Sequence, residues 1–312
     1  MLFFGVTAAL VLGTASASER RLLSTSKRTC QAESSVRAAV IGGIVMSGVY
    51  AQLESAFNAL PGRTLPVCLS VKGNKEVILP AFRRGEADVI LMHSSDDLAL
   101  LTAEGYVSHL TPWAFNDLIL VGPPEDPAGI QNLTNGTEAI RRIAADSNAT
   151  FIFPSMGTGQ STVLSHLLTA SGARPDPSWL IPSDAPDPQN ITEAAAARGA
   201  YTIVGRLPFA KGKIPKAGLI QMVAEDPKMR RPYLAAVADP ERLQGCSPMS
   251  ASLEFVRFVR SEEAQRLISS FGRGQRERGE GGPFVFPLPY LWEEEDEKEE
   301  GGDSHSGRVS WS

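Results

Sequence analysis

One stretch, residues 87–130, constrains the fold of this chain more than any other. It opens with an apolar strand over residues 87–92 and continues into an amphipathic helix over 96–104. A second apolar strand, residues 118–121, follows and is closed by Gly-Pro-Pro at 122–124. Short apolar strands that alternate with an amphipathic helix are typical of α/β proteins. The stretch therefore predicts an α/β fold.

The region before this stretch shows the same alternation. Residues 36–44 and 65–71 have strand patterns, and helical periodicity covers 50–60 and 74–84. With residues 87–92 they form a β-α-β-α-β order, which predicts a mostly parallel sheet covered by helices. The later elements are predicted as helices over 138–145, 161–170 and 192–198, strands over 150–154, 201–204, 219–223 and 234–237, and one long closing helix over 251–271.

Five short motifs carry a resemblance to a known family. They are GEADV at 85–89, NDLILVG at 116–122, DPAGI at 126–130, GAYTI at 199–203 and SEEAQRLI at 261–268. In this order they resemble the binding proteins of tungstate and molybdate ABC transporters, over residues 36–272. The resemblance implies a protein that grips a small oxyanion, catalyses no reaction and has an ABC transporter permease as its partner.

The resemblance also implies a two-lobed periplasmic-binding-protein-like (type II) fold of the α/β class, with the second lobe inserted into the first. On this layout the first lobe comprises residues 36–113 and 233–273, and the second comprises 114–232. One larger doubly wound sheet is the alternative, but the closing helix after the chain's return favours two lobes. A cleft between two similar lobes is a natural place for a small ligand.

Three loops follow predicted strands and open helices in the way that an anion site requires. They cover residues 41–48, 71–74 and 155–162, and each contains glycine. Glycine lets backbone N–H groups approach an anion, and a helix N-terminus offers unpaired donors and a positive dipole end. The candidate ligand contacts are Gly43, Ser47, Lys72, Gly73, Ser155, Gly157, Thr158 and Ser161. For the third loop, Thr158 or Ser161 as an ordinary helix N-cap is the alternative.

The third loop departs from the family at one position. Where the family has Ser-Arg-Gly-Asp-x-Ser-Gly-Thr, this chain keeps Ser155, Gly157 and Thr162 but has Met156 at the arginine position. An arginine there would bind an oxyanion through two parallel hydrogen bonds. Lys72 or Lys75 is the replacement that we expect, each as a point charge from the other lobe.

No catalytic or metal-binding signature competes with this interpretation. The 155–162 loop is not a phosphate-binding Walker motif or a dinucleotide fingerprint, and no Gly-x-Ser-x-Gly elbow is present. The four histidines are scattered, and there is no Cys-x-x-Cys pair. We therefore expect neither an enzyme nor a zinc site, and no cofactor.

The net charge of -5 comes from one segment of the chain. The block EEEDEKEE at 293–300 carries seven acids and one lysine, so the rest of the chain is close to neutral. A neutral body has no basic face for nucleic acid. We expect a monomer whose ligand is a small anion.

Both ends of the chain differ from its body in composition. Residues 1–17 have the apolar run and small-residue end of a secretory signal peptide, and 18–35 form a polar arm. Residues 274–312 form a low-complexity acidic tail, in which the apolar run 284–292 docks on the body, docks on a partner or is a loop. With a signal peptide, four glycosylation sequons favour a secreted glycoprotein; they begin at Asn132, Asn135, Asn148 and Asn190.

Three cysteines, Cys30, Cys68 and Cys246, allow one disulfide and leave one thiol over. All three pairings stay open from the sequence. We favour Cys68–Cys246, because both residues would fall in the first lobe. A buried thiol at Cys68 is the alternative.

Taken together, these features predict a secreted protein that holds a tungstate- or molybdate-like oxyanion in the cleft between its lobes. The alternative is an extracellular scaffold that keeps the fold, has lost the ligand and acts as an interaction protein. Three isolated residues have structural interpretations: Asp88 as a capping residue, His93 as a hydrogen-bonded packing residue and Trp113 as part of the core or hinge.

Overall fold

A mixed β-sheet surrounded by helices organises the protein. The computed structural model describes residues 30–185, 190–270 and 285–288. The predicted signal peptide, most of the polar arm and most of the acidic tail lie outside these residues.

The strands and helices follow the alternation that the sequence predicts. The strands are β1 Val36–Ile41, β2 Val67–Gly73, β3 Val89–His93, β4 Val107–Gly122, β5 Phe151–Phe153, β6 Leu180–Pro182, β7 Thr202–Gly205, β8 Ile220–Val223, β9 Arg230–Ala238 and β10 Val285–Phe286. The helices are α1 Gly42–Ser47, α2 Val49–Ala59, α3 Lys75–Arg83, α4 Asp96–Ala103, α5 Gly136–Ala145, α6 Gly159–Ser171, α7 Ile191–Ala196, α8 Arg206–Ala210, α9 Met249–Val259 and α10 Glu262–Ser270.

The main sheet has the strand order β10-β4-β9-β3-β1-β2. Strand β1 pairs in parallel with β2 and β3, as the β-α-β-α-β pattern predicts. Strand β9 pairs antiparallel with both β3 and β4. The prediction of a mostly parallel sheet therefore holds for one half only, because β9 brings the chain back between β3 and β4.

Strand β4 passes from one hydrophobic cluster into a second, and its Ile119 and Val121 belong to a third. Its first part pairs with β9 as far as Asp117, and the residues from Leu118 onward pair with β7 and β8. Trp113 and Ala114 belong to one buried cluster, together with residues of β1, β3, β9 and α9. Leu118 and Leu120 belong to a second cluster, which is built from residues between 118 and 229. The chain therefore passes from one cluster to another within β4, between Ala114 and Leu118.

Two of the motifs that carry the family resemblance contact each other. The Asp126 carboxylate accepts hydrogen bonds from Ile130 N at 3.0 Å, Gln131 N at 2.8 Å and Tyr201 Oη at 2.8 Å. Tyr201 Oη in turn accepts from Ala128 N at 3.0 Å. The motifs at 126–130 and 199–203 are therefore a framework element that fixes the turn after β4.

Asp88 has the structural role that the sequence predicts. Its buried carboxylate accepts bonds from the backbone and guanidinium of Arg37 at 2.7–3.1 Å. It also accepts from the N–H of Ser247 at 2.9 Å and from its hydroxyl at 2.8 Å. This network ties the start of β3 to β1 and to the segment before α9.

The closing helix predicted over 251–271 is two helices. The chain breaks between α9 and α10 at Arg260 and Ser261, where Arg260 N bonds to Arg257 O and Ser261 N bonds to Phe258 O. Ser261 Oγ then accepts from Ala264 N at 3.3 Å and starts α10. A serine that caps a new helix ends the continuous helix, while the apolar periodicity continues across the break.

The disulfide links Cys30 to Cys68, with their Cα atoms 6.0 Å apart, and Cys246 is free. The favoured Cys68–Cys246 pairing is therefore wrong. Ser247 binds Asp88 at the start of β3, so Cys246 lies on the opposite side of β1 from Cys68 in β2. The end of the polar arm, residues 30–35, is accordingly attached to the body.

Part of the acidic tail also belongs to the body. Strand β10 pairs antiparallel with β4 through Val285↔Asn116 and Phe286↔Phe115. Val285 and Leu288 are buried. Docking is thus the correct alternative for this part of the 284–292 run. No helix among the described residues is long and apolar enough to cross a membrane.

Candidate anion-binding site

The loop between β5 and α6 has the local structure of a capped helix start. Thr158 is the N-cap of α6, and its Oγ1 accepts a hydrogen bond from Ser161 N at 3.2 Å. The same hydroxyl donates to Ser155 O at 2.8 Å. Gly157 has a φ of 78°, a left-handed conformation that favours glycine. The capping role proposed as an alternative for Thr158 is confirmed.

Ser161 and Ser155 differ in the use of their hydroxyls. Ser161 is buried, and its Oγ donates to Thr158 O at 2.7 Å. Ser155 is half-buried, and its hydroxyl has no hydrogen-bond partner within the described residues. The N–H groups of Gly159 and Gln160 likewise have none within that part of the chain. These three donors are therefore available to a ligand.

The glycines after β1 and β2 allow close approach of the backbone. A Cβ placed on Gly73 would lie 2.8 Å from Val77 Cβ, which leaves no room for a side chain. A Cβ on Gly42 would lie 3.5 Å from Gly73 O, so the two loops are neighbours. A Cβ on Gly43 would lie 3.9 Å from Leu207 Cδ2 in α8. The first loop therefore contacts α8, which lies in the part of the chain between residues 118 and 229.

Two of the predicted contacts have other surroundings. Ser47 Oγ donates to Ile44 O at 2.6 Å and accepts from Val49 N at 3.1 Å. Its hydroxyl thus joins α1 to α2. Lys72 is exposed near the end of β2, while Lys75 pairs with Asp97 at 2.8 Å. The positive charge that we expected from Lys75 is therefore shared with a carboxylate.

Arg231 was not predicted from the sequence as a site residue, yet it adjoins the third loop. It lies at the start of β9, and its Nη2 donates to Ser94 O just beyond the end of β3. A methyl group on Gly159 would overlap the Arg231 guanidinium. This side chain therefore spans the space between the end of β3 and the first residue of α6.

His93, at the end of β3, lies in the same positive environment. Its Nδ1 is buried and has no hydrogen-bond partner within the described part of the chain. The prediction of a hydrogen-bonded packing residue is therefore wrong for this atom. Burial, together with the charges of Arg231 and Lys75, lowers the pKa of His93 to about 4. The imidazole is neutral at pH 7.

One feature of the sequence indicates Arg231, although this residue lies outside the five family motifs. Arg230 and Arg231 open a strand that pairs with β3 through His93↔Tyr233. Ligands of α/β sheets bind at the carboxyl ends of parallel strands. An arginine opposite the end of β3 was thus a candidate, but only once the pairing of β9 with β3 was known.

A second group of buried charges lies where β4 passes between the two clusters. Arg206 Nη1 is 3.1 Å from Asp117 Oδ2, and both side chains are buried. Burial raises the pKa of Asp117 to about 6, against the opposing charges of Arg206 and Arg230. Glu225, with a φ of 66°, lies 3.4 Å from Arg206 Nη2. These charges are paired with each other, so the group holds β4 in place where it passes from the first cluster to the second.

A wider groove of about 440 Å³ lies elsewhere, beside Trp179 and the last turns of α5 and α6. It is open and has side chains of both signs, including Arg141, Arg174 and Asp176. No cluster of three or more potential metal ligands occurs within the described residues. The glycine loops and Arg231 are therefore the feature with an organised set of donors.

Comparison with known proteins finds related sequences over most of the described chain. A family model described as bacterial extracellular solute-binding protein matches residues 39–273. The tungstate-binding protein TupA of Peptoclostridium acidaminophilum is 30% identical over 193 residues, which cover 61% of this chain and 65% of that protein. The matched region spans between 56% and 65% of the curated relatives' own length.

Solved structures show the same fold. The tungstate-binding protein TupA from Desulfovibrio alaskensis G20 superimposes with a TM-score of 0.64 at 21% identity, covering 82% of this chain and 99% of that one. The tungstate ABC transporter structure from Geobacter sulfurreducens gives 0.58 at 21% identity, covering 76% and 98%. At this level of identity the likeness supports the α/β periplasmic-binding-protein-like fold and no further property.

Proposed function

Because this chain belongs to the bacterial extracellular solute-binding protein family, we propose that it binds a small oxyanion in a cleft between two lobes. Members of this family are solute-binding proteins and not enzymes. Tungstate and molybdate are the leading ligands, since the relatives include tungstate-binding proteins. The first lobe would comprise residues 36–113 and 233–273, and the second 114–232.

The start of α6 carries this proposal. Ser155 Oγ and the N–H groups of Gly159 and Gln160 have no partner in the described structure. A helix N-terminus with unpaired N–H groups attracts anions through hydrogen bonds and the positive end of the helix dipole. Neutral donors of this kind also let the anion leave again, as delivery to a transporter requires.

The two crossing strands suit a protein that closes around its ligand. Strand β4 runs from the first hydrophobic cluster into the second, and β9 begins directly after Met229 of the second cluster. The buried Arg206–Asp117 pair lies where these two strands cross between the clusters. Hinge motion about such a connection is a common closing mechanism. An ABC transporter permease would be the partner that takes the ligand from the open form.

We further propose that the protein is exported, to the cell exterior or the periplasm. The disulfide Cys30–Cys68 suits an oxidising compartment. The sequon residues Asn132, Asn135 and Asn148 are exposed, and Asn190 is half-buried. In a eukaryotic host, the mature chain should start after residue 17 and lose mass on glycosidase treatment. An intact Met1 without glycan would contradict export and glycosylation.

Calorimetry and thermal unfolding test the ligand. Tungstate, molybdate, sulfate and phosphate should be compared with glucose and alanine, which are neutral overall. A ligand that binds only the folded state raises the melting temperature by mass action. If no oxyanion releases heat or raises the melting temperature at millimolar concentration, the oxyanion proposal is wrong. The scaffold alternative would then replace it.

Two substitutions in the loop test the site. Ser155→Ala should weaken binding by about 10- to 100-fold, because a hydrogen bond to a charged group is worth roughly 1.5–3 kcal/mol. Ser165→Ala, two turns further along α6, is the matched control and should leave affinity unchanged. Met156→Arg should strengthen binding, since Met156 is 80% exposed and a guanidinium there would meet the same anion.

A further inference from the structure

Arg231 occupies an electrostatically unfavourable position among the described residues. Its guanidinium lies against Gly159, the first residue of α6, where the helix dipole is positive. Cations are stabilised at the opposite end of a helix. A half-buried cation at this position therefore requires a compensating negative charge.

Within the described residues, the protein supplies no such charge. Arg231 makes no ion pair there, and its hydrogen bond goes to the neutral carbonyl of Ser94. The charges that act on His93 next to it are those of Arg231 and Lys75, both positive. A buried charge without a partner is costly. Arg231 and His93 thus lie in an electropositive environment, in which no carboxylate among the described residues pairs with Arg231.

We propose that Arg231 supplies the full positive charge of the anion site and, with the first N–H groups of α6, clamps a doubly charged tetrahedral oxyanion. This inference rests on the proposed function and assigns the positive charge of the anion site to one residue. The Ser94 carbonyl orients one side of the guanidinium and leaves its other N–H groups for the ligand. Gly159 is required because any side chain there would displace Arg231.

Arg231 also supplies the cation that the third loop lacks. Met156 leaves the third loop without a cation, and Lys75 is paired with Asp97. Arg231 comes from β9, one of the two crossing strands, and reaches α6 in the second lobe's part of the chain. An anion held by both groups would bridge the crossing strand and the helix, so its binding would favour the closed form.

A simple structural role for Arg231 makes different predictions. A side chain that only joins β3 to α6 would stabilise the protein with or without an anion. An anion-binding side chain destabilises the empty protein and stabilises the loaded one. The two roles therefore differ in the sign of their effect on the melting temperature when ligand is absent.

The experiment measures tungstate and molybdate binding by calorimetry for the full-length protein and its Arg231→Ala, Arg231→Lys and Arg63→Ala variants. Arg63 is the matched control, because it also donates to a backbone carbonyl, Leu60 O at 2.8 Å, and follows the far end of α2, the helix that leads away from the first loop. Arg231→Ala should weaken binding by at least 100-fold, and Arg231→Lys by about 10-fold, since lysine keeps the charge but loses the planar fork. Arg63→Ala should bind as the wild type does.

Gly159→Ala provides a second, independent variant. Alanine suits a helix better than glycine, so the fold should persist while the methyl group displaces the guanidinium. Binding should weaken by about 10-fold or more. In the Arg231→Ala background the same substitution should have no further effect, because nothing remains to be displaced.

The outcomes separate this inference from the proposed function. If the wild type binds tungstate and both Arg231→Ala and Gly159→Ala bind within threefold of it, Arg231 does not hold the anion, whereas the proposed function stands. If the wild type binds no oxyanion, the proposed function fails and the assignment fails with it. An Arg231→Ala protein that melts higher than the wild type without ligand supports the assignment; a lower melting temperature together with unchanged affinity overturns it.

Discussion

Gln265 Oε1 accepts a hydrogen bond from Leu288 N at 2.8 Å, which attaches the C-terminal segment to α10. The Gln265 amide also donates to Trp113 O at 2.8 Å and Val259 O at 2.6 Å. This buried side chain therefore joins β4, α9, α10 and the tail. A buried amide whose hydrogen bonds are all made is costly to disrupt.

The tail segment should stabilise the protein, in contrast to the acidic block after it. Deleting residues 285–312 removes the buried side chains of Val285 and Leu288, each worth about 1.5–3 kcal/mol, and leaves Gln265 Oε1 without its partner. We expect a loss of about 4 kcal/mol in the free energy of unfolding, measured in urea. Deleting 293–312 is the control and should change it little. Equal stability of the two truncations would contradict the docking of β10.

The disulfide gives a second prediction about stability. Cys30 and Cys68 are 38 residues apart, so closing this loop should stabilise the fold by about 4 kcal/mol on the loop-entropy estimate. The Cys30→Ser/Cys68→Ser double variant should lose that amount in urea unfolding. Cys246→Ser should be near neutral. Peptide mapping of the oxidised protein should find Cys246 as the alkylated thiol, and a Cys68–Cys246 peptide would contradict the structure.

Local patterns predicted most of the fold because its strands and helices have clear apolar periodicity. Strand β3 and helix α4 lie where the stretch 87–130 places them, within two residues. The capped start of α6 also followed from its own residues, since a threonine N-cap acts on the next turn. Such features depend on neighbours in the sequence.

The features that the sequence did not predict depend on residues far apart in it. Arg231 becomes a site residue only because β9 pairs with β3. The two residues that this pairing brings into contact, Arg231 and Ser94, are 137 residues apart in the sequence. The docking of Val285 depends on an open edge of β4, and the Cys30–Cys68 disulfide depends on the end of the polar arm lying beside β2. No local pattern contains this information.

The N-cap of α6 should affect both stability and affinity. Thr158→Ala removes the side-chain bond to Ser161 N and the bond to Ser155 O. The cost should be about 1 kcal/mol of unfolding free energy. Because the freed helix start no longer holds Ser155, tungstate affinity should fall as well. Thr158→Ser keeps the hydroxyl and should restore both; a serine variant as weak as the alanine variant would exclude capping as the cause.

His93 should make stability depend on pH. Its pKa is about 4 in the folded protein, chiefly because of burial, and 6.5 is its ordinary value. Between these values the unfolded state binds the proton and the folded state does not. The contribution of His93 to the free energy of unfolding is therefore fully present above pH 6.5. It is lost as the pH falls towards 4 and amounts to about 3 kcal/mol. His93→Gln should remove this part of the pH dependence in urea unfolding measured from pH 4 to 7.

The same histidine also reports on Arg231. Arg231→Ala removes a positive charge that lowers the pKa of His93, so that pKa should rise towards 6.5. A bound dianion should raise it as well, because its negative charge offsets Arg231 and favours the imidazolium. NMR titration of the imidazole, with and without tungstate, measures both shifts, and Arg63→Ala is the control. If the pKa of His93 is the same in the wild type, the Arg231→Ala variant and the tungstate complex, then neither Arg231 nor the anion lies near this ring.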